Sequence, residues 1–382
     1  MKFDRFDSDA FLRDYWQKQP LLIRNPWAAW RNPLEPDELA GLACEEGVES
    51  RLIVQQPGGP TLETGPLAEE RFAELGAGPW TLLVQAVDHH VPDVAALIEP
   101  FRFVPDWRID DVMVSFATDG GGVGPHFDQY DVFLIQGLGR RRWRVGPRCD
   151  GQTPLLSHPD LRLIDDFTAT AEWVLEPGDI LYVPPCLAHD GVALSDDCMT
   201  YSVGFRAPSR AELVEDWCDH QVELLTEEDR YADPDLVAPT NPGEISAAAL
   251  DRMQAMVLDA LADRTAFARW FGTHATQPKY AEIDWQPESP ASEAQVGERL
   301  AGGMALLRNP ASRFAFVREQ DSTVQLFVDG AIHSCHGAAA AFAEELCAQR
   351  IEPVFAPAGD GATVSLVTVL VNQGSLAFDE AD

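Results

Sequence analysis

The chain has 382 residues and a formal net charge of −34, from 62 acidic against 28 basic side chains, with 46% hydrophobic residues. Such a charge repels nucleic-acid phosphates and favours a basic protein partner, so no direct nucleic-acid contact is expected. No run of about 20 uninterrupted apolar residues argues for a membrane span, and the charged, amphipathic start MKFDRFDSDAFLRDYWQKQP has no apolar core before a cleavage site, so a cytoplasmic protein is expected.

Along the chain, Asp9 to Trp16 has apolar positions at helical spacing behind a Ser8 or Asp9 cap. Leu21–Ile23 reads as a strand, Pro36–Ala40 opens a helix with proline in its first turn, and Arg51–Gln55 reads as a strand again. From about 80 to 205 the chain becomes β-rich. Short strands are expected at Trp80–Gln85, Asp110–Phe116, Asp131–Gln136, Arg142–Val145, Asp179–Val183 and Met199–Phe205, punctuated by Gly and Pro, which suggests a sandwich or barrel. After Pro208 the pattern turns helical, over Arg210 to about Thr226 and Ala247 to about Phe271. A linker is expected at Pro278–Glu293. Beyond it, helices at Gly337–Ala348 and Thr363–Asn372 alternate with strands at Phe314–Val317 and Val324–Val328, a small α+β module of winged-helix type. The seven cysteines are dispersed without a CxxC pair and read as free thiols.

The chemistry concentrates in three segments. In GGGVGPHFDQYDVF, His126 and Asp128 are two apart, so on a strand they share a face and make two-thirds of a facial metal triad. In EPGDILYVPPCLAH, a Pro-rich corner after a short strand brings His189 to the rim of a barrel as a third ligand; the competing reading is a hydrogen-bonded rim histidine. In GLGRRRWRV, strand parity puts Arg141 on the inward face with Trp143 and Val145, and Arg140, Arg142 and Arg144 on the other. An inward guanidinium needs an anion: a dicarboxylate ligand or an internal Asp or Glu. Asp119 and Asp131 are candidates to receive a cationic substrate group, with loop and strand-capping roles as the alternatives.

In the order GPHFDQYDVF, QGLGRRRWRVG, EPGDILYVPPCLAHDG and YSVGFRAP, together with WQKQPLLIRN, LLVQAVDHH and PDWRIDDVMVSF, the sequence resembles the bacterial JmjC-domain ribosomal oxygenases. The likeness is close over residues 8–210 and thin after about 290. It implies an α+β chain with a double-stranded β-helix of the JmjC/cupin type over 1–207. A helical dimerisation region over 208–285 and a C-terminal winged-helix-like module over 290–382 would follow. It further implies His126, Asp128 and His189 as ligands of iron(II) (Fe2+), Arg141 and Ser115 as contacts of the cosubstrate 2-oxoglutarate, and dioxygen (O2) as oxidant. The implied reaction is hydroxylation of an arginine side chain at Cβ in a basic, large-subunit ribosomal protein, by a homodimeric enzyme. Two other readings stay open from sequence: a JmjC demethylase of another basic protein, and a non-catalytic cupin-fold metal-binding protein.

Overall fold

Short runs rich in Val, Ile, Leu and aromatics, each closed by Gly or Pro, pair here into two facing sheets. The computed structural model describes residues 2–76 and 78–379; Met1, Ala77 and residues 380–382, which fall inside the expected N- and C-terminal units, lie outside the described residues. The N-terminal part supplies helices α1 (Ser8–Asp14), α2 (Pro36–Leu42), α3 (Glu69–Glu74) and α4 (Pro92–Ala95), with strands β1 (Leu21–Ile23), β2 (Ser50–Val54), β3 (Thr61–Thr64) and β4 (Trp80–Val84). The cap of α1 is Asp7, one residue before Ser8 and two before Asp9, the expected positions, because its carboxylate accepts from Ala10 N–H. The barrel strands follow: β5 (Ile109–Ala117), β6 (Asp131–Leu138), β7 (Arg141–Arg148), β8 (Ala171–Leu175), β9 (Ile180–Val183), β10 (Leu187–Ala193) and β11 (Cys198–Phe205).

The larger sheet has the order β1-β9-β6-β11-β5-β4-β2-β3 and the smaller one β10-β7-β8, a double-stranded β-helix. Every strand pair in both sheets is antiparallel. Phe11 of α1 and Phe101, Phe133, Tyr182 and Phe205 form an aromatic core against the outer side of the large sheet, with Phe101 and Phe133 ring centroids 4.6 Å apart. Sequence reading missed β3, β8 and β10. The last, LAHDGVA, has little β-propensity of its own and owes its conformation to pairing with β7.

The expected helix at 247–271 is two helices, α6 (Ala247–Leu261) and α7 (Arg264–Ala275), behind α5 (Arg210–Val222). Asp263 breaks the run: its carboxylate accepts from Thr265 N–H and Ala266 N–H at 2.8 and 2.9 Å and starts a new helix. The C-terminal unit contains α8 (Glu293–Ala301), β12 (Leu306–Arg308), the meander β13 (Phe314–Arg318), β14 (Val324–Val328) and β15 (Ala331–Cys335), then α9 (Gly337–Ala348), α10 (Gly361–Asn372) and β16 (Leu376–Phe378), which pairs with β12. It has a separate core, centred on Leu326, Ala343, Leu346 and Val367. Among the described residues, no helix is long and apolar enough to cross a membrane.

Helix α7 lies on the meander because Gly272 has no side chain: a Cβ there would fall 2.4 Å from the Phe327 ring. Gly272→Ala is therefore expected to lose about 1–3 kcal/mol through overpacking. Gly297→Ala on α8, whose nearest neighbour atom would be 3.8 Å away, is expected to gain up to about 1 kcal/mol from helix propensity. Chemical denaturation of the two variants beside the parent measures both, and equal effects would refute the packing argument.

Candidate active site

Glycine lets one irregular segment run along the exposed edge of β10. At Gly122 a Cβ would stand 2.4 Å from the carbonyl oxygen of Gly191, and Gly124 adopts φ +103°, where a side chain is strained. The segment joins β10 through Ala193 N–H to Gly121 O (2.9 Å), His126 N–H to His189 O (3.0 Å), His189 N–H to His126 O (2.8 Å) and Cys186 N–H to Asp128 O (2.6 Å). His126 is thus an isolated bridge partner of His189, not part of the regular strand expected for HxD. His189 is inside β10 and 2% exposed, deeper than the rim position read from sequence.

The three expected metal ligands come together. One ligand atom from each of His126, Asp128 and His189 lies within 4.8 Å of the others, and His189 Nε2 is 3.5 Å from Asp128 Oδ2. His126 Nδ1 is 2.8 Å from Gly124 O and His189 Nδ1 is 3.0 Å from Leu187 O. A carbonyl only accepts, so both Nδ1 atoms carry the proton and both Nε2 lone pairs are free for a metal. Burial, then the neighbouring His126 imidazole, holds His189 below the usual histidine range and keeps it neutral. Two imidazoles and a carboxylate on one side, with a cavity on the other, are the donor set that suits iron(II).

The cavity measures about 920 Å³ and is lined by the triad together with Ser115 and Arg141. Arg141 faces inward, as parity requires, and is 3% exposed. Its Nε lies 3.4 Å from Cys198 Sγ, its guanidinium carbon is 5.7 Å from the Trp143 ring centroid, and its Nη2 has no hydrogen-bond partner among the described residues. No carboxylate within the protein forms an ion pair with it among those residues, which removes the internal ion-pair alternative. Ser115, 4% exposed, sits opposite Thr200 across the β5–β11 pairing, and both line the cavity.

The acidic wall differs from expectation. Asp131 does not reach the cavity: it is fully buried, accepts from Tyr182 O–H (2.6 Å) and the Gln17 side-chain amide Nε2 (2.9 Å), and fastens the segment after α1 to β6. Asp119 is exposed on a turn and does not line the cavity either. The lining carboxylates are Glu49, Asp110, Asp111, Asp160, Glu212 and Asp216. Parity along IDDVMVSF places Asp111, Met113 and Ser115 on one face, and Glu212 and Asp216 are one helical turn apart, so both sets had a usable signal. Lys279 bridges Asp110 (2.8 Å) and Asp111 (3.0 Å), and Arg313 holds Asp110 at 2.7 Å. Burial works against ionisation of Asp110, but Lys279 and Arg313 keep its carboxyl below the usual range; burial pushes Asp111 up, with Asp110 and Asp88 adding to it.

A family model for the JmjC domain matches residues 96–213, and one for a ROXA-like winged helix matches residues 259–377. The chain is 43% identical over 298 residues to the ribosomal protein uL16 3-hydroxylase of Escherichia coli K12, covering 78% of this chain and 79% of that protein. It is similar to the X-ray structure of E. coli ycfD, with a TM-score of 0.90 and 36% identity over 99% of this chain and 100% of that one. It is similar too to the structure of YcfD, a ribosomal oxygenase from E. coli, in complex with cobalt and 2-oxoglutarate, with a TM-score of 0.85 and 35% identity over 99% of each chain. The chain belongs to the JmjC-domain ribosomal oxygenase family.

Proposed function

We propose that this protein is an iron(II)- and 2-oxoglutarate-dependent oxygenase that hydroxylates an arginine side chain at Cβ in a basic, large-subunit ribosomal protein, working in the cytoplasm as a homodimer. The observation that carries the reading is Arg141, a buried guanidinium whose Nη2 has no acceptor among the described residues, in the same cavity as a two-histidine, one-carboxylate cluster. A purely structural metal site has no use for such a group, whereas a dicarboxylate cosubstrate satisfies it. A relative named for 3-hydroxylation of uL16 and a neighbour solved with cobalt and 2-oxoglutarate support the same chemistry. The reading divides the chain into a catalytic domain over 1–207, a helical dimerisation region over 208–285 and a winged-helix-like module over 290–382.

His126, Asp128 and His189 hold the metal, and Arg141 with Ser115 holds the distal carboxylate of 2-oxoglutarate. Iron and cosubstrate, once bound, couple oxidative decarboxylation to succinate and carbon dioxide with insertion of one oxygen atom from O2 into an unactivated C–H bond. The protein's part is positioning and exclusion of water. Trp143, with Val132 and Leu134, makes the inner wall apolar near Arg141, and the more exposed carboxylates Asp160, Glu212 and Asp216 favour a cationic side chain at the mouth. Incubating purified ribosomal proteins with enzyme, iron(II), 2-oxoglutarate and oxygen, followed by mass spectrometry, tests the whole reading. One added oxygen on an arginine is the expected result; loss of methyl groups from lysine would replace it with a demethylase.

His126→Ala, Asp128→Ala and His189→Ala are each expected to abolish succinate release while circular dichroism stays close to that of the parent, because the cluster lines a cavity and does not nucleate the fold. Cobalt, nickel and manganese are expected to compete with iron without supporting turnover. Turnover by Asp128→Ala would remove the triad.

Arg141→Ala is expected to raise the KM for 2-oxoglutarate about 10- to 150-fold, the equivalent of about 1.5–3 kcal/mol for a charge-assisted pair. Arg140→Ala, on an exposed residue, and Arg142→Ala, on the opposite face of β7, are expected to change it little. A reversed pattern would break the pairing assigned to Arg141.

The helices divide in their packing. Trp217 of α5 and Phe267 and Trp270 of α7 pack together at centroid distances of 5.2–5.3 Å, and Phe271 meets Trp107 of the barrel, so these aromatics are spent within the chain. Helix α6 buries none of its residues: Leu250, Met253, Val257 and Leu258 are 57%, 48%, 60% and 57% exposed. An apolar face left bare on so acidic a chain favours a self-complementary two-fold dimer. Light scattering at low micromolar concentration is expected to give a dimer mass, and Leu250→Glu with Val257→Glu a monomer; a monomeric parent would refute it.

A further inference from the structure

Arg206, Arg308, Arg313 and Arg350 converge on a second cavity, of about 20 Å³, between the barrel and the C-terminal unit. Their hydrogen bonding is incomplete in one consistent way. Arg308, 8% exposed, donates through Nη1 to the carbonyls of Leu346 (3.0 Å) and Gln349 (2.8 Å) and lies 4.1 Å from the Phe314 ring centroid. Arg206 donates through Nη2 to the carbonyls of Trp107 (2.6 Å) and Ala275 (2.8 Å). Arg350 Nη2 stands 3.6 Å from the fully buried Asp88, beyond a hydrogen bond. In all three arginines Nε is buried without a partner among the described residues.

The carboxylates on the cavity wall are already engaged. Asp106 accepts two hydrogen bonds from Arg102, at 2.9 and 3.0 Å, and Asp110 is shared between Lys279 and Arg313. Burial, then the charge of Arg350, lowers the Arg308 pKa to about 10, the mark of a cation whose surroundings do not balance it. His89, also on the wall, is pushed down to about 3, chiefly by burial, and stays neutral, able to donate an N–H.

We infer that this cavity binds one small inorganic anion, of the chloride class, which joins the barrel to the C-terminal unit. Size and valence both select it. The volume holds a single water-sized occupant and is too small for phosphate or a carboxylate ligand. The wall sets the guanidinium groups of Arg206, Arg308, Arg313 and Arg350 against the carboxylates of Asp106 and Asp110, with Asp88 behind Arg350; a water leaves that excess of positive charge uncompensated, whereas a halide accepts from every direction and carries charge of the missing sign. Because Arg206 and His89 come from the barrel side while Arg308 and Arg350 belong to the C-terminal unit, occupancy ties the two together.

Two measurements on the full chain decide it. Crystals soaked in sodium bromide are expected to show an anomalous peak in this cavity. Thermal unfolding in sodium chloride against sodium gluconate at equal ionic strength is expected to show a saturable Tm rise of about 2–4 °C with chloride, lost in Arg308→Met. Absence of a bromide peak, or the same Tm in both salts, would overturn the assignment. If Arg308→Met does not fold, the bromide peak and the parent's halide dependence still decide. Neither readout depends on turnover, so the result stands apart from the proposed function.

Discussion

Two backbone hydrogen bonds, from His126 N–H to His189 O and from His189 N–H to His126 O, hold the active site together. They join a glycine-rich segment that has no sheet of its own to a strand with weak intrinsic preference for being one. Each side chain of the pair is then aimed by a carbonyl two residues before it, Gly124 O for His126 and Leu187 O for His189, so that backbone geometry selects the tautomer and points both Nε2 atoms the same way. Asp128 is fixed in the same manner, its carbonyl accepting from Cys186 N–H. The candidate metal site is therefore built in the main chain before any side chain is considered. This accounts for the close approach at Gly122: any Cβ would push the segment off β10 and separate the ligands.

The second constraint is the desolvation of Arg141. A buried guanidinium with an unmet donor costs free energy in the unliganded protein, and the fold tolerates it because β7 is paired on both sides, to β10 and β8. Strand alternation leaves no freedom at this position: with Trp143 and Val145 inside, Arg141 must be inside too. In the proposed function that cost is recovered when 2-oxoglutarate arrives, which makes the arginine a means of favouring a dicarboxylate over a monocarboxylic keto acid.

Where a side chain's direction follows from period-two alternation on a regular strand, sequence alone located it: Arg141 faces the cavity from β7, whereas His126 and Asp128 reach it from an irregular segment and Ser115 was expected only from the family resemblance. Where direction depends on a distant partner, sequence did not locate it. Asp131 was a candidate substrate contact because it follows the HxD segment closely, yet Tyr182 and Gln17, far away in the chain, draw it to the outside of the barrel. The acidic wall had local signals at Asp111 and in the Glu212/Asp216 spacing, but nothing local ties these to Glu49 and Asp160, which come from separate elements that only the closed fold assembles. Helix boundaries failed at Asp263, whose capping strength was outweighed in the reading by the apolar periodicity on either side.

The charge of −34 gains meaning from its distribution. Along the cavity wall the adjacent carboxylates Asp110 and Asp111 are bridged by Lys279, and Arg313 holds Asp110 as well, so cations partly offset their charge. Nearer the mouth, Asp160 makes no ion pair among the described residues, and the Asp216 carboxylate is only 3.5 Å from the His274 imidazole, which carries charge only when protonated. The more exposed carboxylates are thus less compensated by neighbouring cations than Asp110 and Asp111, which favours attraction of a basic polypeptide to the entrance. In the proposed function, attraction at the mouth sets how fast such a partner arrives and falls as salt rises, while His126, Asp128 and His189 with Arg141 position metal and cosubstrate. The two demands, capture and positioning, are thus met by different residues, which leaves the entrance free to vary in charge without disturbing the geometry at His126, Asp128 and His189.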